Sequence, residues 1–144
     1  MSHIGLFLLS FFISLNSSVP ENIEKAFLQN NPRLLYSLFS SAQPVNISLP
    51  SPISFSDQIS SEQAYFLFQK IFRTYTTFEF FPEPGTLRSP KEGRYILKAR
   101  WSFWNKNKNQ YVFQIFFYVR SFPGGAKLGD LWKITEIKAE GLWE

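Results

Sequence analysis

The chain contains no cysteine. Disulfides, thiolate metal sites and cysteine nucleophiles are excluded together, as is lipid attachment through an N-terminal Cys. The single histidine is His3, inside the segment read below as an export signal, so a processed protein would hold none. Imidazole acid–base catalysis and ordinary zinc sites then fall away. Strong charge of one sign is also missing: 15 Lys and Arg against 11 Asp and Glu leave a formal +4. That fits a domain with scattered lysines, and no nucleic acid is expected as a partner. A phosphate-cradling glycine loop is absent, since Gly124-Gly125 reads as a turn. No acidic cluster has metal-ligand spacing, because Glu21 and Glu24 read as first-turn acids of a helix. Neither a cofactor nor a metal is expected.

Long apolar runs are scarce as well. Ile4 to Leu15 is the one extended stretch. It suits the roughly 7–15 residues of a signal-peptide core and falls short of the roughly 18–20 that span a bilayer. Asn16, Ser17 and Ser18 follow, with cleavage expected after Ser17 or Ser18. The reading is therefore a signal peptide over 1–18, a single domain over 19–144, and export to a periplasm or beyond. About 125 residues still suffice for one hydrophobic core.

What the chain does have is aromatic side chains, 19% of its residues, with 17 Phe among them. Flat, rigid side chains favour a sheet-rich body with a well-filled interior. Ser18-Val19-Pro20-Glu21 has capping-box spacing ahead of Ile23, Ala26 and Phe27, which recur at helical intervals. Asn31-Pro32 starts a second short helix bearing Leu34, Leu35, Leu38 and Phe39. Val45, Ile47 and Leu49 alternate as a short strand, which the flanking prolines Pro44 and Pro50 place at a sheet edge. Ile53 and Phe55 read as a brief second strand. Ser60-Ser61-Glu62-Gln63 is another capping box, and Ala64, Leu67, Phe68, Ile71, Phe72 and Tyr75 form one apolar stripe behind it. Thr76 to Phe81 reads as a strand, Thr86 to Gly93 as loop. Two long strands follow, Arg94 to Trp104 and Gln110 to Phe122, joined by the polar hairpin loop Asn105 to Asn109. A last strand runs from Leu131 to about Ala139. Helices segregated against an antiparallel meander make an α+β fold.

Alternation assigns faces. Tyr95, Leu97, Ala99, Trp101 and Phe103 share one side of the first long strand. Tyr111, Phe113, Ile115, Phe117 and Val119 share one side of the second. A hairpin centred on Asn107 pairs Trp101 with Phe113, Ala99 with Ile115 and Leu97 with Phe117, which puts both apolar sets on one buried face. The opposite face carries Ile96, Lys98, Arg100 and Ser102 against Tyr118, Phe116, Gln114 and Val112. It is rich in apolar groups for a solvent face and marks a candidate contact surface, with Ile96, Arg100, Gln114, Phe116 and Tyr118 at its centre. In the last strand, parity puts Glu136 on the side of Trp132 and Ile134. A carboxylate there would enter the interior. Glu136, Trp101, Trp132, Tyr95 and Tyr111 are accordingly the candidate ligand-binding residues. Glu79 and Glu136 are the only acids set within strongly patterned strands, and nothing in the sequence makes them converge as a catalytic pair.

The order Ile23, Ala26-Phe27, Asn30, Leu34-Leu35, Leu38-Phe39, Val45, Ile47, then the capped helix and the meander ending Trp132-Lys133-Ile134, resembles the nuclear transport factor 2 superfamily. It is closer still to the small exported bacterial proteins of the domain-of-unknown-function 4783 family. The resemblance spans roughly Val19 to Glu140. It implies a curved sheet wrapped around helices to form a cone. Enzymes of the superfamily place Asp, His or Tyr groups in that cone, but none of their motifs matches here position by position, so no catalytic residue is expected. Two readings stay open. One is a binding module whose cone takes a small apolar or amphipathic molecule. The other is a protein that self-associates as a homodimer, or meets an envelope partner, through the outer sheet face. A cone filled by Trp101, Phe113, Phe117 and Trp132 would favour the second.

Overall fold

In a computed structural model of the chain, the described residues are 18–84, 88–89, 93–124 and 130–142. The expected signal segment, Ser18 excepted, lies outside them. Helix α1 (Val19–Leu28) starts at Ser18, whose hydroxyl accepts the Glu21 N–H at 3.3 Å, with Pro20 in the first turn. Ser18 thereby satisfies one of the orphan donors that every helix start leaves. Helix α2 (Pro32–Tyr36) is capped by Asn31, whose Oδ1 accepts the Leu34 N–H at 3.1 Å. Helix α3 (Ser61–Thr74) carries the complete capping box. The Gln63 N–H donates to Ser60 Oγ at 3.2 Å, and the Ser60 N–H donates to Gln63 Oε1 at 2.9 Å.

The strands are β1 (Val45–Leu49), β2 (Phe55–Ile59), β3 (Thr76–Pro82), β4 (Arg88–Ser89), β5 (Arg94–Trp104), β6 (Gln110–Pro123) and β7 (Asp130–Gly141). They form one sheet in the order β2-β1-β7-β6-β5-β3, with β4 paired to β5. The meander β3-β5-β6-β7 is antiparallel throughout. The hairpin register is the expected one: Trp101 faces Phe113, Ala99 faces Ile115 and Leu97 faces Phe117. The architecture is the expected α+β fold.

Three local expectations are corrected. β1 is not an edge strand. It lies between β2 and β7, with Val45, Ile47 and Leu49 buried, and its flanking prolines sit just outside the paired residues. β2 begins at Phe55 and runs to Ile59, because the chain must first turn through 50–54 before it can fold back onto β1. β1 also joins β7 in parallel, Ile47 beside Ile137, and Phe39 bridges Ile134 in the same sense. The meander is thus extended by a parallel crossover that short alternating runs do not announce. Within the stretch read as loop, Arg88 and Ser89 pair with Tyr95 and Arg94.

One face of the sheet packs on the helices. Phe27 of α1 sits at the centre, its ring 4.9 to 6.1 Å from those of Phe68, Phe72, Phe80, Trp101 and Phe117. Edge-to-face rings at such spacing add to burial alone. Trp101 is 0% exposed, and its indole N–H donates to Thr77 Oγ1 at 2.8 Å, which satisfies the one polar atom of the ring. Asn30, at φ 48°, follows α1 and holds three elements together. Its Nδ2 donates to the carbonyls of Phe72 and Tyr75 at 3.0 and 2.9 Å, and its Oδ1 accepts the Thr77 N–H at 3.2 Å. Asparagine reaches this left-handed conformation at less cost than most residues.

Candidate functional site on the outer face of the sheet

The interior of the cone is filled. Trp101, Phe103, Phe113 and Phe117 are at most 1% exposed and line the inner face, and Phe27 and Phe68 close it from the helix side. The ring of Trp101 stacks on Phe103 at 4.1 Å, and Phe103 stacks on Tyr111 at 5.6 Å. Among the described residues, this dense aromatic packing leaves no room at the centre of the inner face for a guest without displacing a side chain.

The five expected ligand-binding residues do not form one site. Trp101 is in the middle of the core. Tyr95 and Trp132 meet at one end of the inner face, rings 5.4 Å apart, both partly buried. Tyr111 lies at the opposite end beside Tyr75. Glu136 is not on the inner face at all. β6 and β7 change register between Tyr118 and Val119: Ile134 faces Val119, Glu136 faces Tyr118, and Thr135 is the extra residue. Such a bulge shifts side-chain phase by one. The interior sequence is therefore Ile134, Ile137 and Ala139, all buried, while Glu136, Lys138 and Glu140 turn outward. The Thr135 hydroxyl donates to the Tyr118 carbonyl at 3.2 Å across the bulge. The expectation that the Glu136 carboxylate enters the cone is overturned by this one residue. The signal was present in the sequence as the three-residue step from Ile134 to Ile137, which strict alternation does not allow.

The expected contact residues do gather. Ile96 faces Tyr118, Lys98 faces Phe116 and Arg100 faces Gln114 across the β5–β6 ladder, all on the outer face and all partly buried. Phe116 lies between Lys98 on one side and Lys138 on the other. Beyond Arg100, β3 adds Phe81, 57% exposed. A second bulge, at Phe78, puts that ring outside as well, stacked on Trp104 at 4.9 Å. Glu83 is clasped by Lys98 Nζ at 3.3 Å and by Gln114 Nε2 at 3.2 Å. At one end the face dips into a hollow of about 490 Å³ lined by Ile96, Tyr118, Arg120, Thr135 and Glu136 among others. Glu79 is on the same outer face, paired to Ser102. Three strand steps separate it from Glu136, about 14 Å at the usual spacing, so the two acids do not converge.

No protein-family profile matches the sequence, and no curated protein matches it either. The fold does have likenesses. The chain is similar to a DUF4783 family protein from Bacteroides uniformis, with TM-score 0.69 and 14% identity over 88% of this chain and 100% of the other. It is similar to an NTF2-like protein of unknown function in nutrient uptake from Rhodospirillum rubrum, with TM-score 0.59 and 9% identity over 86% and 95%. A protein provisionally named a ketosteroid isomerase, from Parabacteroides distasonis, matches with TM-score 0.59 and 13% identity over 89% and 91%. The chain therefore has the nuclear transport factor 2-like cone fold that its residue pattern resembled. At these identities the likeness is one of fold, which many unrelated activities share.

Proposed function

We propose that the chain is a non-catalytic interaction module of the cell envelope that pairs with a second copy of itself through the outer face of its sheet. The observation that carries this reading is the contrast between a filled cone and an apolar, accessible outer face. A carrier that used the cone would need space inside it, and the inner face is occupied by Trp101, Phe113 and Phe117. The outer face offers Ile96, Phe116, Tyr118 and Phe81 within a frame of Lys98, Arg100, Lys138, Glu83, Glu136 and Glu140. Both signs of charge around an apolar centre suit a two-fold interface, where each patch must complement itself. Three strand steps of about 4.8 Å across β3, β5, β6 and β7, with strands rising about 3.4 Å per residue, make a flat footprint of roughly 500 Å². A standard-size interface takes about 800 Å² of accessible surface from each partner, so this footprint suits a pairing that dissociates on dilution. The absence of cysteine, and of any histidine beyond His3, supports a role without catalysis. The short apolar run Ile4 to Leu15 supports export.

Sedimentation velocity over a dilution series tests the reading. The processed protein is expected to be a dimer that dissociates on dilution, and Phe116→Glu is expected to be a monomer with an unchanged circular dichroism spectrum. A wild-type protein that stays monomeric at high micromolar concentration would overturn it. N-terminal sequencing of the mature protein tests export, which fails if Met1 is still present on protein from the membrane fraction.

A further inference from the structure

A second feature lies at the end of β6 and β7, beyond the outer-face hollow at Arg120, where the exit of α2, the start of α3 and the beginning of β7 meet. By register Phe122, Leu131 and Lys133 fall on the outward side of their strands. A groove of about 600 Å³ opens there. Its apolar side is made by Phe39, Phe122 and Leu131, the last 42% exposed. Its polar side includes Ser61 and Lys133. Among the described residues that line it, Lys133 is the only charged one. Its ammonium donates to the Ser37 carbonyl at 2.9 Å, which leaves it two further donors.

Ser61 is the second and independent observation. It is the first residue of α3, a helix of 14 residues, and it is only 3% exposed. Its hydroxyl has no hydrogen-bond partner. Ser60, one residue earlier, is committed to the cap, and Gln63 to the return bond. A buried hydroxyl left without a partner is unfavourable and uncommon. Ser61 lines the groove with this hydroxyl just beneath its wall, at the positive end of a helix dipole and with Lys133 in the same lining. Hydroxyl, dipole and ammonium all favour an anion, while Phe39, Phe122 and Leu131 favour an apolar body. The volume is that of a small-molecule site.

We infer that this groove binds a small amphipathic monocarboxylate, with the carboxylate held by the Ser61 hydroxyl, the N-terminus of α3 and Lys133, and the chain laid along Phe39, Phe122 and Leu131. The site is separate from the filled cone and does not depend on self-association.

Calorimetric titration of the full chain with decanoate, decanol and acetate tests it. Decanoate is expected to bind, decanol about tenfold more weakly and acetate not measurably, because the charge-assisted bonds and the apolar contact are both needed. Ser61→Ala should weaken decanoate about tenfold and leave the melting temperature equal or higher, since the buried hydroxyl it removes has no partner. Lys133→Met, at a more accessible position, should abolish the preference for decanoate over decanol. Equal affinity for decanoate and decanol in the wild type, no decanoate binding, or unchanged decanoate affinity in Ser61→Ala would each overturn the inference.

Discussion

Strands β5 and β6 carry two surfaces in alternate residues, and the two differ in what holds them. The inner set, Leu97, Ala99, Trp101 and Phe103 against Phe113, Ile115 and Phe117, is buried to 2% exposure or less. The outer set, Ile96, Lys98 and Arg100 against Gln114, Phe116 and Tyr118, is only partly covered, by its own long side chains. The backbone ladder is common to both. Any difference in their response to substitution therefore comes from the side chains alone. The inner face should govern stability, and the outer face should govern association.

The largest expected effect falls on the inner face. Trp101→Ala should lower unfolding free energy by about 3–5 kcal/mol, the usual range for deleting a buried aromatic. It also strands the Thr77 hydroxyl that accepted the indole N–H. Chemical denaturation measures this. The matching outer-face change, Phe116→Ala, should stay within about 0.5 kcal/mol in the monomer. If the two variants unfold at the same midpoint, the assignment of faces is wrong.

Next in size is the clasp that fixes the helices against the inner face. Asn30→Ala removes three hydrogen bonds from the Asn30 side chain and leaves Ala in a left-handed conformation. About 2 kcal/mol of destabilisation is expected. Hydrogen exchange should show faster opening at Thr77, whose N–H loses its acceptor, before any change in the middle of β6.

The sequence disclosed these two devices unequally. Trp101 was legible because a hairpin centred on Asn107 allows only one register that buries both apolar sets. Asn30 read as punctuation after a helix, since its partners Phe72, Tyr75 and Thr77 are more than forty residues away. The helix caps were legible because their partners are three residues away. The Thr135 bulge and the parallel β1–β7 pair were not, because each is decided by which strand lies alongside. Parity counting assumes an unbroken ladder, so it carried Glu136 to the wrong face. Ile96, Arg100, Gln114, Phe116 and Tyr118 keep the outward side that alternation assigns because no bulge falls between β5 and β6. The groove at Ser61 was invisible for a similar reason. In the sequence Ser61 is one more serine of a cap, and only the return of β7 beside α2 gives it a groove.

A smaller effect sharpens the same contrast. With Glu136 on the outer face, Glu136→Gln should change unfolding free energy by no more than about 0.5 kcal/mol. A carboxylate buried in the cone would behave differently, since Gln would relieve its desolvation and raise stability. A clear gain in denaturation midpoint for this variant would return Glu136 to the interior and remove the bulge from the account.

The smallest effect appears only in alkali, at the rim where inner face meets solvent. Burial raises the Tyr75 phenol above its ordinary value of 10.0, and the neighbouring Tyr111 adds to this by charge repulsion. The folded site thus favours the neutral phenol. Below the unfolded value near 10 both states hold the proton, and pH does not act through this group. As pH rises past that value the unfolded chain releases its proton first, so stability falls, and the fall ends once the folded phenol has also ionised. Tyr75→Phe removes this ionisation. Melting temperatures of wild type and variant should run parallel at neutral pH and converge toward the variant's favour above about pH 10. A constant difference across that range would mean that Tyr75 is as well hydrated as an outer-face tyrosine, and that the rim at Tyr111 is open to water.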